Sequence, residues 1–123
     1  MNDKERSALE RIVLYCDRAQ TARARHFPTR AEFDSDIFYC DGVAQYIMQV
    51  GECVNELSDG FAAEHPEVPW HQIRGTRNII AHAYGIIDAD EVWHILTEDL
   101  PGLRSYCAEL LDGEQASDMC QSV

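Results

Sequence analysis

Lysine is nearly absent from this chain. Of its 123 residues, ten are basic, nine arginines and the single Lys4, against 22 acidic ones, for a formal net charge of −12. A generic nucleic-acid binder presents a basic face. Broad attraction to a polyanion is therefore excluded, no DNA partner is expected, and any nucleic-acid contact has to be local and shaped, as the planar arginine fork permits. The same acidity suits a basic protein partner or simple solubility. Long apolar runs are also missing: stretches such as Ile12-Val13-Leu14 and Ile86-Ile87 are far too short to span a bilayer. The opening MNDKERSALERIV is charged and lacks the apolar core of a signal peptide. A cytoplasmic protein with no membrane partner is the expectation.

Two chemical devices are absent as well. The five cysteines (Cys16, Cys40, Cys53, Cys107, Cys120) are odd in number, far apart and never form Cys-x-x-Cys. That argues against a zinc site or a disulfide framework and for reduced thiols serving as small apolar residues. His65, His71 and His94 do not pair at metal-ligand spacing, so no metal is expected. The seven glycines are scattered without a Gly-x-Gly, so no glycine-rich loop cradles a phosphate.

What is present is helical periodicity. The hydrophobic fraction of 46% suits one globular domain. Leu9, Ile12, Val13, Cys16 and Ala19 recur at helical spacing, predicting a helix from Asp3 to about His26. FPTRAEFDSD then brings Pro28 and two N-cap candidates, Thr29 and Ser35, with a short helical turn over 30–34. Val43, Ile47, Val50, Val54, Leu57 and Phe61 alternate by four and three, the seam of a helix packed lengthwise in a bundle. Two prolines in EHPEVPW end it. A third periodic stretch runs from Trp70 to Tyr84, with Gly85 placed as its C-terminal cap. Asp88 or Asp90 opens a fourth helix carrying Val92, Ile95, Leu96 and Leu100. Pro101 starts or kinks a last one with Leu103, Tyr106, Leu110 and Leu111. Trp70 and Trp93 are expected in the core or a subunit interface. The prediction is an all-α, up-down bundle of four to five helices over residues 1–112, followed by a flexible tail at 113–123.

One stretch breaks the apolar pattern. In RNIIAHAY, the seam Trp70, Ile73, 77, Ile80, Tyr84 calls for a leucine-like residue at 77 and receives Arg77. Burying an unpaired guanidinium costs several kcal/mol, so an anion has to meet it. Glu52 or Glu56 on the preceding helix is one candidate, with Arg74 as their other possible partner, and a ligand phosphate is another. His82 lies about 140° around the helix from Arg77. Convergence then requires local unwinding near Ala81–Gly85 or pairing of two chains, and the heptad-like seams favour a two-fold dimer.

Arg77, His82 and Tyr84 form an Arg-x4-His-x-Tyr motif, and the sequence around them resembles the HepT-like branch of the HEPN superfamily. QVGECVNELSDGF, HPEVPWHQIRGTRN and VWHILTEDLPGL are similar to blocks recurring in that family. The resemblance implies a HEPN-like homodimer acting as the toxin of a type II toxin–antitoxin pair. It implies metal-independent RNA cleavage and a minimal nucleotidyltransferase as antitoxin. Arg77, Asn78 and His82 would be catalytic, and Tyr84 would be the tyrosine adenylylated to silence the toxin. No cofactor is implied.

The chemistry suits those residue types. RNA supplies its own nucleophile in the 2′-hydroxyl. Histidine takes and gives a proton near neutral pH, arginine stabilises charge building on the phosphoryl oxygens, and Asn78 orients the phosphate or the histidine. The rival reading is a non-catalytic helical dimer that binds a nucleotide or a nucleotidyltransferase partner.

Overall fold

Asn2 starts the first helix by capping it. Its side-chain oxygen accepts from the Glu5 backbone N–H at 2.8 Å, and α1 runs Asp3–His26 with Asp3 and Glu5 in its first turn. Pro28 disfavours helical backbone in the residue before it, and Phe27 leaves the helix at φ −150°. This structure, a computed structural model, describes the backbone of residues 1–81 and 87–121 and the side chains of 1–75 and 87–114.

Most later helices start on a capping side chain or a proline-bounded turn. Thr29 caps α2 (Arg30–Asp34): its hydroxyl oxygen accepts from the Glu32 N–H at 3.2 Å, and the hydroxyl donates to the Glu32 carboxylate at 3.0 Å. The cap of α3 (Ile37–Asn55) is Asp36, which accepts from Phe38 N–H at 2.9 Å. Ser35, the predicted alternative, ends α2 instead. Pro66 and Pro69 bound the turn before α5 (Trp70–Ala81). Asp88 caps α6 (Ala89–His94).

The seam from Val43 to Phe61 is fully buried, yet it does not lie on one helix. The chain leaves α3 at Asn55 and re-enters helix at Asp59, forming α4 (Asp59–Glu64). Ser58 decides the break: its hydroxyl oxygen accepts from the Phe61 N–H at 3.0 Å and its hydroxyl donates to Glu5 at 3.1 Å. Leu57 and Phe61 keep their core positions because the turn redirects the chain without turning them outward.

After α6 the helix widens into a π-type turn over Ile95–Asp99 and continues as α7 (Leu100–Gln121). Pro101 accounts for the irregularity. It has no N–H to donate, and its ring crowds the carbonyl four residues back. Gln20 of α1 donates to the Leu96 carbonyl at 2.7 Å within the widened turn. The backbone of α7 continues through most of the stretch 113–123 expected as a tail.

Ion pairs fix the topology. Arg6 reaches Glu114 at 3.0 Å and Asp17 meets Arg104 at 3.0 Å, so α7 runs antiparallel to α1. Arg11 meets Glu56 while His26 stacks near Tyr39 at 6.3 Å, so α3 is also antiparallel to α1. α5 packs on α3. Between these helices lies one core built from Leu9, Ile12, Ile47, Val54, Leu96 and their neighbours, each worth about 1.5–3 kcal/mol when buried. The described residues are all-α with no strand, as predicted, with four long helices and three short ones at the corners. Among them no helix is long and apolar enough to cross a membrane.

Candidate functional site

Helix α5 is pinned at its start. The Trp70 indole is 4% exposed and donates to the His65 carbonyl at 2.9 Å. Its ring stands edge-on to Phe61 at 5.7 Å and to Tyr106 of α7 at 6.2 Å. The Tyr106 hydroxyl in turn donates to Glu67 at 2.8 Å and lies 2.9 Å from His65 Nδ1. Burial and the hydrogen bond to Glu67 push the Tyr106 hydroxyl up to about 12, and the same bond lowers the Glu67 carboxyl below its usual range. These contacts hold the 65–69 turn between α5 and α7. His65 and Tyr106 are 41 residues apart, so residue spacing carries no hint of the group.

From that anchor the backbone of α5 is helical through Ala81 and carries Arg77 and Asn78. At 100° per residue, Arg74, Arg77 and Asn78 fall within about 100° of one another on one side of the helix. The side chains of Arg77 and Asn78 lie outside the described residues, as do His82, Tyr84 and the predicted cap Gly85.

Of the two acidic partners offered by the sequence, Glu56 is engaged on α1, where it pairs with Arg11, and their hydrogen bond raises the Arg11 pKa further. Glu52 is exposed on α3. Arg74, the other candidate partner of these glutamates, donates to the Leu57 carbonyl at 3.1 Å and stands 3.9 Å from exposed Asp59. Its Nε is buried without a hydrogen-bond partner among the described residues. Beside α5, a hollow of about 400 Å³ opens between α3, α5 and α7, floored by Ile47, Val50, Ile73 and Leu103 and edged by Glu67 and Tyr106. Among the described residues no group of three or more His, Cys, Asp or Glu is arranged to hold a metal ion. The thiols of Cys16, Cys40, Cys53 and Cys107 are free and buried. Burial pushes Cys16 and Cys107 up to about 12.

An all-α bundle of this helix order, with the Arg-x4-His-x-Tyr motif beginning on α5, is HEPN-like. The chain belongs to the ribonuclease HepT-like family, whose model matches residues 6–110. It is 31% identical over 72 residues to a protein of Thermococcus cleftensis named "Probable ribonuclease HepT", covering 54% of this chain and 66% of that one. A candidate RNase of Methanocaldococcus jannaschii is 30% identical over 82 residues, 59% of this chain and 75% of the relative. Another, from Caldanaerobacter subterraneus subsp. tengcongensis, is 30% identical over 66 residues, 54% and 59% of the two chains. The matched portion thus spans between 59% and 75% of these relatives. No solved structure matches the chain significantly.

Proposed function

We infer that this chain is a metal-independent endoribonuclease that works as a homodimer, with Arg77, Asn78 and His82 as its catalytic residues. The observation that carries this reading is the family match over residues 6–110, which takes in all three together with Tyr84. In the reaction, the 2′-oxygen of RNA attacks the adjacent phosphorus and the bond to the 5′-oxygen breaks. His82 takes the 2′-hydroxyl proton, and a proton is returned to the departing 5′-oxygen. Arg77 stabilises the charge on the non-bridging oxygens, and Asn78 orients the phosphate or the histidine. A dimer supplies two such histidines and removes the need for one straight helix to bring Arg77 and His82 together.

The biological role that fits is the toxin of a type II toxin–antitoxin pair, acting in the cytoplasm. Its antitoxin is a nucleotidyltransferase that adenylylates Tyr84, placing a bulky anion two residues from His82. Glu52 supports the site from α3, while Glu56 acts through its ion pair with Arg11. Residues 1–112 form the functional domain.

The net charge of −12 favours a second reading, a non-catalytic dimer that binds a nucleotide or the nucleotidyltransferase. Incubating the purified chain with single-stranded RNA in excess chelator tests the two. Products ending in 2′,3′-cyclic phosphate and 5′-hydroxyl support the nuclease. Intact RNA in the presence of folded protein supports the binding module.

A further inference from the structure

The charge of this molecule is unevenly spread. Residues 18–31 hold no aspartate or glutamate and four of the nine arginines, Arg18, Arg23, Arg25 and Arg30. Most arginines with described side chains are committed: Arg6, Arg11, Arg30 and Arg104 to carboxylates, and Arg23 to the face of Trp93 at 5.0 Å. Arg18 and Arg25 are exposed and have no hydrogen-bond or ion-pair partner among the described residues. They are seven apart on α1, so they lie within about 20° of one line and about 10 Å from each other along the helix. The acid next in sequence, Asp17, is held by Arg104 of α7.

We propose that Arg18 and Arg25 on the outer face of α1 form the surface on which the RNA backbone docks. The inference rests on the ribonuclease reading above and answers its main difficulty, how so acidic a chain holds a polyanion. Charges in the last turn of α1 also stabilise the helix dipole, which accounts for Arg25 but not for Arg18, two turns earlier. Arg23 and Gln20 reach Trp93 and the Leu96 carbonyl from the opposite side of α1, so the Arg18–Arg25 stripe itself faces outward. Two arginines without competing carboxylates contribute two phosphate contacts, each releasing counterions.

The test measures binding of the full-length protein to a labelled single-stranded RNA oligomer across a salt series, comparing wild type, Arg18→Gln/Arg25→Gln and Arg6→Gln. The double variant is expected to bind about 10-fold more weakly at low salt. Its slope of log affinity against log salt should be shallower by about 1.4, the value for two phosphates on a single strand. Arg6→Gln, which removes an arginine already paired with acids, should match wild type in RNA affinity and salt slope, and every variant should remain folded. An unchanged slope in the double variant overturns the proposal, and so does a wild type that fails to bind RNA. A loss of affinity in step with dimer dissociation also overturns it, because the stripe then holds an acidic protein surface. Cleavage that persists in His82→Ala counts against the catalytic reading and leaves this docking surface untouched.

Discussion

The hydroxyl of Tyr106 sits 2.9 Å from Nδ1 of His65, tying α7 to the turn that launches the motif helix. The hydroxyl has a single hydrogen, and it donates that hydrogen to Glu67 at 2.8 Å. It therefore accepts from His65, whose Nδ1 carries the proton. Tyr106→Phe keeps the ring contacts with Trp70 and His65 but removes both hydrogen bonds. The expected result is a melting temperature lower by about 2–4 °C, with the His65 ring resonances displaced in NMR spectra. Spectra and stability that match wild type would mean the three groups are not linked in solution.

Ser58 caps the start of α4 and reaches back to Glu5, which is only 8% exposed. Ser58→Ala removes the cap and one donor to that carboxylate at once. The variant should lose about 1–2 kcal/mol, near the upper end for a helix cap, whereas Ser58→Asp retains an acceptor for Phe61 but sets a second carboxylate against Glu5. Chemical denaturation of both variants measures the difference, and the aspartate variant should be no more stable than the alanine one.

Leu96 lies in the π-type turn and is 0% exposed. Leu96→Ala should cost about 2–5 kcal/mol, as for other fully buried leucines. An effect well below that range in urea denaturation would show that the turn collapses around the missing side chain.

The buried thiols give the fold an alkaline limit. Burial favours the neutral form of Cys16 and Cys107, raising each from an ordinary value near 9 to about 12. A raised acid contributes stability that is fully present below its unfolded value and disappears as pH rises towards its folded one. Stability should therefore decline between about pH 9 and pH 12, and Tyr106 adds to the loss above about pH 10. Melting curves across that range check the direction, and Cys107→Ala should flatten the decline. At pH 8, in a Cys120→Ser background, thiol reagents should leave the folded protein unlabelled and modify Cys16, Cys40, Cys53 and Cys107 on unfolding.

Much of the fold could be read from the sequence because local signals and the core agree. The bounds of α1, the short α2, the Asp88 cap and the buried seam residues all follow from periodicity and capping. The break at 56–58 escaped because Leu57 and Phe61 continue the seam across it, so apolar spacing carries no trace of the turn. Only the Ser58 cap reveals it, and the second partner of that hydroxyl, Glu5, is 53 residues away. The pairing of Glu56 with Arg11 was hidden for the same reason: spacing within helices cannot rank partners brought together by packing. The motif residues stood out for the opposite reason, since a cation where the apolar spacing calls for a leucine-like residue is a local contradiction.

The central claim is that Arg77 and His82 cut RNA. The direct measurement is cleavage of one labelled RNA in chelator by wild type, Arg77→Ala and His82→Ala, each confirmed folded and in the same oligomeric state. The account predicts 2′,3′-cyclic phosphate ends from wild type and at least about 100-fold less product from either variant, the scale of a lost acid–base or charge-stabilising group. Undiminished cleavage by His82→Ala would contradict it.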